Sequence, residues 1–112
     1  MAIIMVDIDG TLTVETEGWG DEVYADRTPI HHRIQKVNEL HAEGHTIIIW
    51  TSRFKSDRSV TEEWLERYGV RYDCLRMGKP QFDILIDDKV ILAEEIHNVE
   101  DHLQQRKNAK QT

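Results

Sequence analysis

Short apolar runs that open into polar residues are the main pattern of the chain. Residues 1–6 are all apolar and lead into Asp7, while residues 46–50 are mostly β-branched and lead into Thr51. Runs of this length and composition are typical of buried parallel strands. We predict four strands, over residues 1–6, 46–50, within 70–77, and 82–86, the last of which runs directly into Asp87 and Asp88.

Apolar residues at helical spacing separate these runs. The spacing predicts helices over residues 30–43, from about Ser59 to Gly69, and along a final seam of Leu92, Ile96, Val99 and Leu103. No period persists from residue 12 to 29, so we expect a long loop or flap there. Residues 104–112 are polar, and we expect a frayed tail after a single domain of residues 1–103.

Length, charge and cysteine content narrow the possibilities. The 112 residues suit one domain, and alternating strands and helices predict an α/β fold: a Rossmann-like, three-layer α/β/α domain with a mainly parallel sheet. Cys74 is the single cysteine, which fits a cytoplasmic protein. The net charge of -7 disfavours a nucleic-acid partner, and no apolar run has the roughly 20 residues that cross a membrane.

Polar residues at the C-terminal ends of the strands form the candidate site. Right-handed crossovers bring these strand ends to one edge of a parallel sheet, which is where such sheets bind ligands. The residues expected to meet there are Asp7, Asp9, Thr51, Ser52, Arg53, Asp87 and Asp88, with Lys79 after the third strand. Four carboxylates at one edge repel each other unless a cation lies among them.

These residue types suit the hydrolysis of a phosphate monoester. Asp7 can attack phosphorus, and Asp9 can protonate the leaving group and later deprotonate water. Mg²⁺ would lie between Asp7, the Asp9 carbonyl and either Asp87 or Asp88. Thr51, the amides after it and Lys79 can stabilise the phosphoryl oxygens, and Gly10 permits a tight turn beside the metal.

The segments Asp7-Ile8-Asp9-Gly10-Thr11, Thr51, Lys79 and Asp87-Asp88 resemble, in order, the four motifs of the haloacid dehalogenase superfamily. The resemblance implies that Asp7 is the nucleophile and Asp9 the general acid and base, that Thr51 and Lys79 hold the phosphate, and that the acidic pair completes the Mg²⁺ site. The intervals between motifs leave no room for a cap domain. The segment from Gly78 to Asp83 further resembles small bacterial and phage members linked to capsule or sugar-phosphate metabolism.

The sequence therefore predicts a capless, Mg²⁺-dependent phosphatase for a small phosphorylated metabolite, with a sugar phosphate as one candidate. Gly10, Thr11, Ser52 and Arg53 are further candidates for phosphate contacts, and Trp19, Tyr24 and Arg27 either line the pocket or stabilise the flap. Three alternatives stay open: a phosphoacceptor signalling module, a non-catalytic binding member, and a phosphatase for macromolecular phosphates. The order of the motifs argues against a receiver domain. A homo-oligomer contact through the last helix is also open.

Overall fold

The computed structural model describes the backbone of residues 1–111 and the side chains of residues 1–108. Three parallel strands form one sheet in the order β1 (Ile3–Val6), β2 (Thr46–Trp50) and β3 (Cys74–Arg76). The helices are α1 (Asp21–Ala25), α2 (His31–Ala42), α3 (Arg58–Arg67) and α4 (Val99–Gln111), with 3-10 turns at Lys55–Asp57 and Ala93–Asn98. The predicted α/β class with a parallel sheet and no separate cap is confirmed.

The strand register brings the loops after the strands to one level. Val6 lies beside Ile49, and Trp50 lies beside Arg76, so all three strands end within about one residue of each other. The loops that begin at Asp7, Thr51 and residue 77 consequently leave from the same edge of the sheet. This edge is the one that the parallel topology predicts as the ligand site.

The core lies against one face of the sheet. Ile47 and Ile49 of β2 are fully buried, and they pack in one cluster with the apolar stripe of α2 and with Trp64 and Leu65 of α3. The opposite face is open at β1, where Ile3 is 72% exposed and Met5 46% exposed. The sheet is therefore well covered on the side that carries α2 and α3 and poorly covered elsewhere.

The prediction of a fourth strand over residues 82–86 is wrong for the single chain. Residues 82–86 are irregular, and Ile84 and Ile86 are 79% and 94% exposed. A strand needs a neighbour for its backbone groups. This segment does not pair with β1, which among the described residues has β2 as its single ladder partner.

Three smaller differences concern the ends and the flap. The predicted flap contains a short helix, α1, and α3 begins at Arg58, one residue before Ser59. Where a frayed tail was expected, α4 continues to Gln111 because Gln, Arg, Lys and Ala are all strong helix formers. Thr112 lies outside the described residues, and the domain limits of 1–103 stay a prediction.

None of the helices in the described part of the chain has the length and apolarity to cross a membrane.

Candidate active site

The loop after β1 is a tight turn that fixes Asp7 and Asp9 beside each other. The Ile8 carbonyl accepts hydrogen bonds from the backbone N–H groups of Thr11, Leu12 and Thr13, at 3.0, 2.8 and 3.1 Å. Gly10 has a φ of 81°, a left-handed conformation that glycine adopts without steric cost. Because the Ile8 side chain is fully buried, it anchors the turn in the core between the two aspartates.

Asp7 is a partly buried carboxylate next to positive charge. Burial raises its pKa above the ordinary aspartate value, and the negative charge of Asp9 acts in the same direction. Lys79, the Ile8 N–H and Arg53 favour the ionised form and oppose this rise in pKa. Asp7 is thus a partly desolvated carboxylate near two cations, Lys79 and Arg53, which can also attract a phosphate group.

Arg53 binds Asp9 through a two-point contact. Its Nε and Nη2 donate to the two carboxylate oxygens of Asp9 at 3.0 and 2.8 Å, and Nη1 donates to Thr61 Oγ1 at 2.9 Å. The Arg53 residue is 2% exposed, whereas the Asp9 side chain keeps 26% of its surface exposed. Bidentate arginine–carboxylate pairs are strong and fix orientation. Arg53 therefore sets the direction in which Asp9 faces the site.

The flap packs onto this ion pair. The Tyr24 ring of α1 lies 4.0 Å from the Arg53 guanidinium carbon, and Arg27 Nε lies 3.6 Å from Asp9 Oδ1. Arg27 also hydrogen-bonds Thr16 and the Gly18 carbonyl within the flap. Two of the three flap candidates thus reach the site.

The flap is also attached to α3. Trp64 Nε1 donates to the Arg27 carbonyl at 2.9 Å, and Arg67 donates to the Ala25 carbonyl at 3.2 Å. Trp19, the third flap candidate, is 80% exposed and lies outside the packed part of the flap. The position of Tyr24 and Arg27 therefore depends on α3 and not on Trp19.

Backbone hydrogen bonds join the loops after β2 and β3. Lys79 N–H donates to the Thr51 carbonyl at 2.8 Å, and Gly78 N–H donates to the Arg53 carbonyl at 2.9 Å. Thr51 is fully buried, and its hydroxyl accepts from the Arg53 N–H at 3.2 Å. These contacts place Lys79 near Asp7. The roles of Thr51 and the half-buried Ser52 in phosphate binding stay predictions.

Lys79 is positioned by two aromatic rings. Its Nζ lies 5.4 Å from the centre of the Trp50 ring and 5.3 Å from that of the Phe82 ring. Lys79, Trp50 and Phe82 line a small cavity of about 130 Å³, together with Pro80 and Leu85. The ring faces attract the ammonium group and fix its position, close enough to Asp7 to lower the pKa of that carboxyl. Lys79 is therefore placed to meet an incoming anion.

The structure does not bring Asp87 and Asp88 to Asp7 and Asp9. Asp87 accepts a hydrogen bond from the Lys89 N–H at 2.9 Å, and the Asp88 carboxylate lies 3.6 Å from Arg106. Among the described residues, no three His, Cys, Asp or Glu side chains are close enough together to hold a metal ion. The predicted Mg²⁺ ligands Asp7, Asp9, Asp87 and Asp88 are therefore not placed to bind one cation within a single chain. The segment expected to form the fourth strand is unpaired, so it does not bring Asp87 and Asp88 to Asp7 and Asp9.

Sequence reasoning missed two residues that hold the site. Arg33 of α2 donates to the Thr11 carbonyl at 3.1 Å and lies 3.5 Å from the Gly10 carbonyl, so it supports the turn below Asp9. Thr61 receives Arg53 on its hydroxyl and donates in turn to the Asp57 carbonyl at 2.8 Å. Both residues lie within ordinary helical sequence, where no motif distinguishes them.

The Tyr24 ring gives a prediction about the flap. Tyr24→Leu removes the ring from Arg53, and we expect a loss of about 0.5–2 kcal/mol in the free energy of unfolding together with reduced activity. Tyr24→Phe keeps the ring and is the matched control, expected to stay close to wild type. Urea unfolding of both variants measures the difference. Equal loss in the two variants would contradict a role for the ring.

Comparisons with known proteins identify the family of this chain. The family model for the phosphatase domain of polynucleotide kinase PNKP matches residues 1–108. A crystal structure of a structural-genomics target from Vibrio cholerae is similar, with 26% identity, a TM-score of 0.77 and coverage of 97% of this chain and 99% of that one. No curated protein matches the sequence.

Two further solved structures share the fold. Chains from a Pnkp1/Rnl/Hen1 complex and from the Pnkp1/Rnl/Hen1 RNA repair complex each have a TM-score of 0.62, with 20% and 19% identity. The matches cover 86% and 88% of this chain but 33% and 31% of those larger chains. The family match spans nearly the whole sequence. The chain therefore belongs to the haloacid dehalogenase superfamily, in the family of the polynucleotide kinase PNKP phosphatase domain, and it is a phosphatase.

Proposed function

We propose that this phosphatase hydrolyses phosphate monoesters through a covalent phosphoryl group on Asp7. The observation that carries the proposal is the position of Asp7 at the end of β1, partly buried and influenced by the positive charges of Lys79 and Arg53. A carboxylate in this position can act as a nucleophile. The neighbouring cations attract an anionic substrate such as a phosphate ester.

The proposed reaction has two displacements. An Asp7 oxygen forms a bond to phosphorus while the bond from phosphorus to the ester oxygen breaks, and the leaving alcohol takes a proton. Water then loses a proton and attacks phosphorus, the bond between phosphorus and Asp7 breaks, and inorganic phosphate leaves. Lys79 neutralises charge on the phosphoryl oxygens in both displacements.

Asp9 is the proposed proton donor and acceptor. Its two oxygens each accept one hydrogen bond from Arg53, which leaves further lone pairs on each oxygen. The carboxylate edge that remains exposed lies on the same turn as Asp7. Arg53 and Arg27 are positioning residues in this proposal because they act through Asp9.

We also propose a requirement for Mg²⁺, which phosphatases of this superfamily generally use. When bound, the cation would neutralise phosphoryl and carboxylate charge. Asp7 and Asp9 are the part of the ligand set that one chain assembles. Phosphate release from an aryl phosphate should be lost on chelation and return with added Mg²⁺. Full activity in chelator would exclude the requirement.

The environment of Asp7 predicts the pH dependence of the reaction. Because burial raises its pKa, the nucleophile becomes ionised at a higher pH than an ordinary aspartate, and kcat/KM should rise with pH through that raised pKa. Lys79 lowers the pKa of Asp7, so Lys79→Met should move this acid limb further upward. Lys107→Met, at an exposed position of α4, is the control. An unmoved acid limb in Lys79→Met would contradict the electrostatic effect of Lys79 on Asp7.

Two substrate classes remain distinct proposals. The first is a small phosphorylated metabolite, with sugar phosphates as candidates, in a cytoplasmic protein. It is supported by the net charge of -7, which repels a polyanion. The second is a terminal phosphate of a polynucleotide, and it is supported by the match to the PNKP phosphatase domain.

Salt dependence separates the two classes. We would compare sugar phosphates, a mononucleotide and an oligonucleotide with a terminal phosphate at increasing ionic strength. A polynucleotide substrate predicts a higher kcat/KM for the oligonucleotide than for the mononucleotide, with a steep fall as salt rises. Equal values for both nucleotides and a shallow salt response would favour the small metabolite.

A further inference from the structure

Residues 80–90, here called the arm, form an irregular surface segment that touches the body through Phe82 and Leu85, which line a cavity with Trp50 and Lys79. Every residue of the arm is exposed, including Phe82, Leu85 and Val90 at 52%, 50% and 46%. The chain has a radius of gyration of 14.4 Å and extents of 49 × 30 × 21 Å, whereas a compact chain of this length has a radius of gyration of about 13 Å. Such an apolar surface is expected to be covered.

Both ends of the arm are held on the body. Before the arm, Gly78 and Lys79 hydrogen-bond the loop after β2. After it, Ile91 packs against the core, and Ile96 and Val99 belong to the core. Arg106 of α4 donates to the Asp88 carbonyl at 2.8 Å and lies 3.6 Å from the Asp88 carboxylate. The arm is therefore attached to the body at both ends, while its own side chains stay exposed.

The outer edge of β1 is a surface that fits the arm. In the described sheet β1 pairs with β2 on one side, and its other side has no ladder partner. An unpaired edge with apolar side chains invites another strand. If an added parallel strand places Asp87 level with Asp7, then Ile84 and Ile86 lie beside Ile4 and Val6 on the core side.

Charge favours the same placement. Lys79, Arg53 and Arg27 lie near the two carboxylates Asp7 and Asp9, so this part of the site already holds cations. The arm carries the acidic pair Asp87 and Asp88, which these cations would attract. Delivered beside Asp7, the pair would supply the oxygen ligands that one chain lacks.

We propose that two copies of this chain exchange their arms, so that the arm of each copy becomes the fourth strand beside β1 of the other. Each site then combines Asp7 and Asp9 of one copy with Asp87 and Asp88 of its partner. The exchange is reciprocal about a two-fold axis, which is the commonest symmetry of homodimers. The composite site rests on the proposed function, whereas the exchange of arms does not.

Mixed dimers test the composite site. Asp7→Asn and the double variant Asp87→Asn, Asp88→Asn are each expected to be inactive. The two variants are mixed in equal amounts, unfolded and refolded together. Half of the dimers should then contain one chain of each variant, and each of these dimers has one intact site out of two. The expected activity is about one quarter of that of the wild type. An inactive mixture of folded dimers, with active wild type, would mean that each chain docks its own arm and would overturn the proposal.

Cross-linking tests the exchange without any assay of activity. In a Cys74→Ser background, Met5→Cys chains mixed with Leu85→Cys chains should form a disulfide between chains, because these positions would be neighbours on adjacent strands. The control mixes these Leu85→Cys chains with wild-type chains, whose native Cys74 is exposed on the opposite edge strand and should not form the disulfide. Light scattering should give a dimer. A monomer without cross-links would overturn the exchange, and an inactive but cross-linked dimer would overturn only the proposed function.

Discussion

Asp7→Asn should abolish phosphate release and lower kcat/KM by at least about 10⁴-fold, as removal of a covalent nucleophile does in other enzymes. The amide has nearly the shape of the carboxylate, so the turn from Ile8 to Thr13 should be kept. The measurement is phosphate release from an aryl phosphate over the pH range in which the wild type is active. Retained activity would show that Asp7 is not the nucleophile.

The stability of the same variant is an internal check on this interpretation. The pKa of Asp7 is raised in the folded protein, so the fold loses stability as the pH rises from the ordinary aspartate pKa to the raised one, and it stays destabilised above that. At neutral pH, Asp7→Asn should therefore have a Tm equal to or above that of the wild type. Glu63→Gln, at an exposed position in the middle of α3, is the matched control and should change neither activity nor Tm. A large fall in Tm would mean that lost activity reports unfolding.

The site residues that come directly after a strand were predictable from the sequence. Apolar runs that end at Asp7 and at Thr51 identify buried parallel strands, and parallel topology then requires their polar loops to meet. Lys79 follows from the same rule because it comes shortly after β3. Local pattern and topology were sufficient here because each of these residues lies within about three positions of a strand end.

The contribution of the flap could not be predicted in this way. Tyr24 and Arg27 reach Asp9 and Arg53 because Trp64 and Arg67 of α3 hold the flap, and these contacts join residues about 40 positions apart. Nothing in a segment without periodicity specifies such contacts. Tertiary contacts, and not local propensity, decide where a loop of this kind lies.

The fourth strand shows a different limit of sequence reasoning. Residues 82–86 have the composition of a buried strand, and composition states only that a segment is suited to a sheet. Whether a strand forms depends on a partner edge. Edge pairing is a property of the assembled sheet, and, if arms are exchanged, of the assembled dimer. The placement of Asp87 and Asp88 depends on the same pairing.

Removal of Arg53 should give the largest loss of stability among the substitutions considered. Arg53→Met leaves Asp9 without its two-point partner and leaves the Thr61 hydroxyl without its donor. Breaking a buried pair costs about 3–5 kcal/mol, and because Asp9 is partly exposed and keeps Arg27 nearby, we expect about 3 kcal/mol. The midpoint of urea unfolding should fall accordingly. Activity should also fall because Asp9 loses its orientation.

The control is Arg58→Met. Arg58 forms an ion pair with Glu62 at 2.8 Å across one helical turn and donates to the Leu75 carbonyl at 3.1 Å. Both charged side chains are about half exposed, so the loss should be about 1 kcal/mol, well below that for Arg53→Met. Combining Arg53→Met with Asp9→Asn removes both charges of the buried pair. The double variant should therefore lose less free energy of unfolding than the two single variants do together. Simple additivity would show that Arg53 stabilises the fold through Thr61 and Tyr24 and not through Asp9.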